Sequence, residues 1–142
     1  MHILLVEDSN ADAYLLTEIF SRIPDAPAIN WVTDGYDALD YVYQREKYAQ
    51  ARRPDFILLD LNLPRVDGFE VLKELKENPF FATIPIVILT TSRNPLDLSQ
   101  SKALGADMCL SKPHAIRDYE DMVRSLIHWA SLHVETTAAA VH

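Results

Sequence analysis

The chain has 142 residues, enough for one domain with a sizeable core, and its 49% hydrophobic and 24% charged residues are the balance of a soluble globular protein. A formal net charge of −8 argues against sequence-independent nucleic-acid binding, which needs Lys and Arg to displace counterions; the small basic groups Arg45 to Lys47 and Arg52-Arg53 read as a solvated helix end and loop. No apolar run approaches the roughly 20 residues that span a bilayer, Met1 to Val6 is too short for a secretory signal, and the lone Cys109 excludes an internal disulfide and a cysteine-based zinc site, so the sequence predicts a cytoplasmic protein with no membrane or nucleic-acid partner.

Ile3-Leu4-Leu5-Val6 is an unbroken apolar run of strand length, followed at once by Glu7-Asp8. Ala11 to Ile23 places Leu15, Leu16, Ile19, Phe20 and Ile23 near one helical face, with Ser9 or Asn10 as cap and Pro24 as stop. Ile29 to Val32 is a second strand, interrupted by Asn30 and therefore expected near a sheet edge. Tyr36 to Gln44 predicts a second helix through Leu39, Val42 and Tyr43, and Tyr48 to Pro54 makes a long connection to which no chemistry is assigned. Phe56 to Leu59 is the third strand and ends on Asp60; Phe69 to Glu77 is helical until Asn78-Pro79 stops it. Ile86 to Leu89 ends on Thr90, a short polar helix follows over Leu96 to Leu104 with Gly105 as C-terminal cap, and Met108 to Leu110 leads to Lys112-Pro113. The last helix, Asp118 to about Leu132, opens with Asp118, Glu120 and Asp121 at the positive end of its dipole. Residues 135–142 are small and polar and are expected to fray, leaving 1–134 as the domain.

Five strands alternating with five helices imply an α/β fold, a doubly wound parallel sheet of order 2-1-3-4-5. Ligands in such sheets bind at the carboxyl ends of the strands, where this sequence sets Glu7-Asp8, Asp60 with Asn62, Thr90 and Lys112. Carboxylates converging there repel unless a cation neutralises them, and an oxygen-only set without imidazole or thiolate favours Mg²⁺ or Mn²⁺ over zinc. Taken singly, each residue has an ordinary reading: Glu7-Asp8 as a helix cap, Thr90 as a turn residue, Lys112 as a solvated charge. Their conjunction decides.

Asp60-Leu61-Asn62-Leu63-Pro64-Arg65-Val66-Asp67-Gly68 resembles the phosphoacceptor segment of response-regulator receiver domains, a likeness that extends over about residues 2 to 132. The acid pair, the acceptor, Thr90 and Lys112 occur in the family's order and spacing. The long connection before the third strand is similar to regulators that partner bacterial and cyanobacterial phytochromes. The resemblance implies a flavodoxin-like fold and phosphoryl transfer from a sensor histidine kinase to Asp60. Mg²⁺ (or Mn²⁺) would be held by Asp8, Asp60 and the backbone carbonyl of Asn62, with Glu7 direct or through water. Lys112 and Thr90 would bind phosphoryl oxygens, Gly68 and Pro113 would be structural, and the Lys112-Pro113 bond would be cis. Signalling would leave by protein contact or onward phosphotransfer, through the face of the fourth helix, fifth strand and fifth helix.

Cys109 stands where receivers usually carry Tyr or Phe, which removes an aromatic rotamer switch from the position that pairs with Thr90 in switching; packing as a small apolar residue is its favoured role. Asn62 and Ser92 occupy positions that tune acyl-phosphate hydrolysis, and neither is acidic. Met122, Val123, Leu126, Ile127, Trp129, Ala130 and Leu132 give the last helix a wide apolar arc, read either as core or as a homodimer face. The five histidines do not group as metal ligands. Two alternatives stand beside the signalling reading: a degenerate receiver that binds partners without phosphorylation, and a Mg²⁺-dependent phosphohydrolase, which would normally carry an acid at position 62 and a cap domain.

Overall fold

The computed structural model contains five strands, β1 (His2–Val6), β2 (Ala28–Val32), β3 (Phe56–Leu59), β4 (Ile86–Thr90) and β5 (Met108–Ser111). They alternate with α1 (Asn10–Ser21), α2 (Gly35–Val42), α3 (Gly68–Glu77), α4 (Pro95–Ala103) and α5 (Ile116–Val141). The structure describes residues 1–141, with side chains for residues 1–133, and α5 runs past its expected end near Leu132 into the segment expected to fray. All strand pairs are parallel, in the order β2-β1-β3-β4-β5. The interrupted Ile29 to Val32 run is indeed an edge strand, and the all-apolar β3 is buried along its whole length in the centre.

The period of two along each strand divides the core into two layers. Ile3, Leu5, Phe56, Leu58, Val87 and Leu89 face α1 and α5, meeting Leu16, Phe20, Val123 and Leu126. Leu4, Val6, Ile57, Leu59, Ile86 and Ile88 face α2 and α3, meeting Leu39, Val42, Val71, Leu72 and Leu75. Side-chain caps fix the helix starts: Ser9 accepts from the Asp12 N–H, Asp34 from Asp37, Asp67 from Glu70 and Asn94 from Leu96. α4 is weakly anchored, with Ser101 its buried residue, as its polar sequence requires. α5 begins at Ile116, two residues before the expected Asp118.

The connection between α2 and β3 holds a 3₁₀ turn (Glu46–Tyr48), and Gln44 and Glu46 both adopt left-handed φ, at 56° and 52°. Gln44 Nε2 donates to the Ala51 carbonyl at 2.7 Å and ties the segment down. Arg45 lies over the Tyr43 ring at 4.3 Å and Arg53 over Phe81 at 5.6 Å, so the basic groups expected in solvent also cover aromatic surface. Among the described residues no helix is long and apolar enough to cross a membrane.

Candidate functional site

The alternation that builds the core also aims the polar residues beyond it. On β1, β3 and β5 the rows ending at Leu5, Leu58 and Leu110 face α1 and α5, so Glu7, Asp60 and Lys112, two residues further on, emerge on that side. Pairing of Val6 with Leu59 sets Glu7 level with Asp60. Thr90 continues the opposite row, Ile86 and Ile88, on the side where Cys109 lies level with Ile88.

Glu7 is pinned from several directions. Its N–H donates to the Val32 carbonyl at 3.1 Å, its carbonyl accepts from Trp31 Nε1 at 2.7 Å, and its carboxylate accepts from the Ser9 N–H at 3.3 Å. Asp60 donates its N–H to the Val6 carbonyl at 3.0 Å, and its Oδ1 accepts from the Asn62 N–H at 3.2 Å. Gly68 is required at its place because a Cβ there would stand 2.3 Å from the Asp60 carbonyl oxygen. The α3 start and the Asp60 loop therefore pack backbone to backbone, and Gly68 N–H closes the loop on Leu61 at 3.0 Å.

Lys112 crosses the strand tips. Its Nζ donates to the Glu7 carboxylate, to Asp12 Oδ2 at 2.9 Å and to Asp60 Oδ2 at 3.2 Å. Glu7, Asp60, Thr90 and Lys112 are all buried, whereas Asp8 is exposed. Burial pushes the Glu7 carboxyl up to about 7 against the opposing pull of Lys112, and the neighbouring Asp60 adds to the rise. Burial alone would depress the Lys112 ammonium, but hydrogen bonds to Glu7 and Asp12 and the Asp60 charge outweigh it and hold it above the ordinary lysine value. Burial also raises the Cys109 thiol, which packs half-buried against the α2/α3 core layer, as a small apolar residue would.

The Lys112-Pro113 bond is trans, not cis as the resemblance implied. Trans is the lower-energy isomer by about 0.5–1 kcal/mol, and Lys112 already reaches all three carboxylates with it.

Carboxylate oxygens of Glu7, Asp8 and Asp60 lie within 4.8 Å of one another. This all-oxygen set, carrying more negative charge than Lys112 neutralises, fits a hard divalent cation. Thr90 Oγ1 accepts from the Ser92 N–H at 3.1 Å, and Ser92 Oγ donates to Asp97 on α4 at 2.6 Å. Arg93 reaches His114 Nε2 at 3.0 Å, linking the loops that follow β4 and β5.

The strand tips thus bring Glu7, Asp8, Asp60 and Lys112 together, with Thr90 on the adjacent strand. Asp12 and Trp31 escaped the sequence reading. Asp12 lies in the first turn of α1 and meets a lysine 100 residues away, which no local spacing encodes. Trp31 read only as a strand residue.

A family model for the response regulator receiver domain matches residues 3–124. The chain belongs to that family. It is 41% identical over 124 residues to the response regulator Rcp1 of Synechocystis, covering 87% of this chain and 84% of Rcp1. The crystal structure of the phosphorylated cyanobacterial phytochrome response regulator RcpA superposes with a TM-score of 0.84 at 39% identity, covering 88% of this chain and 89% of that one. The Mn²⁺-bound form of Rcp1 gives a TM-score of 0.83 at 41% identity, covering 88% and 90%. This protein is therefore a receiver-domain response regulator related to regulators of cyanobacterial phytochrome signalling.

Proposed function

We propose that this protein accepts a phosphoryl group on Asp60 from the phosphohistidine of a sensor histidine kinase, a phytochrome by its relatives, and passes the signal on by protein contact. The observation that carries this reading is Lys112 Nζ, 3.2 Å from Asp60 Oδ2 beside the Glu7 and Asp8 carboxylates. An Asp60 oxygen forms the bond to phosphorus as the P–N bond breaks, and the electron pair leaves on the imidazole nitrogen. The transition state is loose, so catalysis is positioning and charge stabilisation. Asp60, held by the Asn62 N–H, presents its carboxylate; Lys112, already beside Asp60, donates to a phosphoryl oxygen; Thr90, still accepting from the Ser92 N–H, donates its hydroxyl to another.

Asp8, Asp60 and the Asn62 carbonyl, with Glu7 direct or through water, would hold Mg²⁺ or Mn²⁺. Such a cation supplies charge neutralisation for the incoming phosphoryl group.

Phosphorylation adds a group of about −2 charge with strong acceptor oxygens. Movement of Thr90 would pull on Ser92 and hence on Asp97 of α4, the helix with least buried surface. With Cys109 in place of an aromatic ring, switching runs through these loops and the face of α4, β5 and α5. Exposed Ile116, at the start of α5, supports a homodimer built on that helix and its neighbours.

Incubation with Mg²⁺ and acetyl phosphate is expected to add about 80 Da to the wild type and nothing to Asp60→Asn. Unmodified wild type would establish a degenerate, phosphorylation-independent receiver. Steady phosphate release from diverse monoesters would establish a phosphohydrolase.

A further inference from the structure

An ammonium group has three protons, and those of Lys112 go to three carboxylates: Glu7, Asp12 and Asp60. The lysine is saturated. To donate to a phosphoryl oxygen it must let one partner go, and the three are not equivalent. The Glu7 side chain is 2% exposed, so abandoning it would strand a buried charge. Asp60 is the phosphoryl carrier and stays within reach. The Asp12 side chain is 32% exposed, so water can replace the lysine there, although its contact of 2.9 Å is shorter than the 3.2 Å to Asp60.

Asp12 is held in that position by the helix start. The Ser9 hydroxyl accepts from the Asp12 N–H at 3.3 Å, and the same Ser9 donates its N–H to the Glu7 carboxylate, so one cap residue orders two of the three partners. Asp12 also lines a small cavity of about 140 Å³ with Lys112, Pro113 and His114 beside the strand tips.

We infer that Asp12 is a positioning residue, which competes with the incoming phosphoryl oxygen for Lys112 and keeps the lysine docked away from its phosphoryl-binding position until transfer. The inference rests on the phosphoacceptor reading of Asp60. Asp12 touches neither phosphorus nor Asp60; it acts through the lysine. Removing its charge leaves only a weaker neutral acceptor for that ammonium proton, so Lys112 turns to the acyl phosphate at less cost. Asp12 also sets a negative charge beside an arriving phosphoryl group of about −2 charge, which works in the same direction.

Trifluoroberyllate, which bonds to an acceptor carboxylate in place of a phosphoryl group, isolates the end state from the kinase. Its affinity in the presence of Mg²⁺ is to be measured for the wild type, Asp12→Asn and Asp12→Glu, with each variant's Tm and its rate of phosphorylation by acetyl phosphate. Asp12→Asn is expected to bind about tenfold more tightly, the order of one charge-assisted hydrogen bond after water has replaced it. It is also expected to be phosphorylated faster, while Asp12→Glu, which keeps the charge, stays near the wild type. A merely structural Asp12 predicts the reverse: lower Tm, weaker binding and slower transfer. Asp12→Asn equal to the wild type within twofold, or weaker, overturns the inference. Failure of the wild type itself to bind trifluoroberyllate or take up phosphate would instead overturn the Asp60 reading.

Discussion

Two lysines sit at opposite ends of the strands, and their surroundings differ in kind. Lys76, in the last turn of α3, donates to the carbonyls of Ala82 at 3.1 Å and Ile84 at 3.0 Å and to Asp107 Oδ2 at 2.8 Å. Asp107 also accepts from the Ile86 N–H at 2.8 Å, so this knot clips the entry to β4 onto α3. One cation, one carboxylate and two neutral acceptors leave no net charge. Lys112, at the other end of the strands, faces three carboxylates, with exposed Asp8 adding a fourth acid nearby. Both ends satisfy their hydrogen bonds, and among the described residues no buried side-chain nitrogen or oxygen lacks a partner. The difference is charge. A neutral knot stabilises; an anionic one is poised to take a cation, and chemistry follows from the imbalance rather than from the lysine.

The comparison is broken most directly by the same substitution at both ends. Lys112→Met leaves Glu7 buried without its counter-charge and is expected to cost roughly 3–5 kcal/mol near pH 8, less near pH 5 where Glu7 takes a proton. Lys76→Met strands two carbonyls and is expected to cost about 1–3 kcal/mol, with no pH dependence over that range and phosphorylation unimpaired. Urea midpoints of both variants at the two pH values check this. Equal slopes with pH would erase the distinction.

How much of this contrast was legible beforehand follows from the range of each signal. Unbroken apolar runs such as Phe56 to Leu59, and caps such as Ser9, are local, so sheet order and helix starts were readable to within two residues. The strand tips inherit that reliability: once Leu58 faces α1, Asp60 must follow it. The Lys76 knot was not readable, because its acceptors are two main-chain carbonyls whose orientation depends on the turn between α3 and β4. Asp12 was missed for a related reason, since its partner lies on the far side of the fold. The trans Lys112-Pro113 bond corrects an inference carried by resemblance alone, with no residue pattern behind it.

The next effect in size is carried by the intact protein. Glu7 has a folded-state value raised from 4.5 to about 7, so its protonated form favours folding. The stability this provides is complete below 4.5 and is lost by the time pH passes about 7. Lys112 is raised from 10.5 and stays charged throughout, so it adds no slope in that window. Wild type is therefore expected to lose stability relative to Glu7→Gln as pH rises through the window, and saturating Mg²⁺ is expected to reduce the loss by supplying the missing positive charge. Parallel pH profiles of the two proteins would show that Glu7 carries no such penalty.

The smallest effect belongs to charges away from both ends of the strands. On α5, Arg124 lies 3.9 Å from Glu120 and 3.2 Å from Asp121, but its side chain is 66% exposed. Solvent screens such pairs, and holding a long side chain in place costs rotamer freedom, so the net worth is at most about 0.5 kcal/mol. Alanine is also the better helix former by a few tenths of a kcal/mol, which offsets part of what is lost. Arg124→Ala is expected to move the urea midpoint by an amount near the measurement error and to leave phosphorylation untouched. A cost above about 1 kcal/mol would mean that ion pairing matters here by number rather than by burial. The contrast between the two lysines would then lose its physical basis, because it rests on low exposure making an unmatched charge expensive.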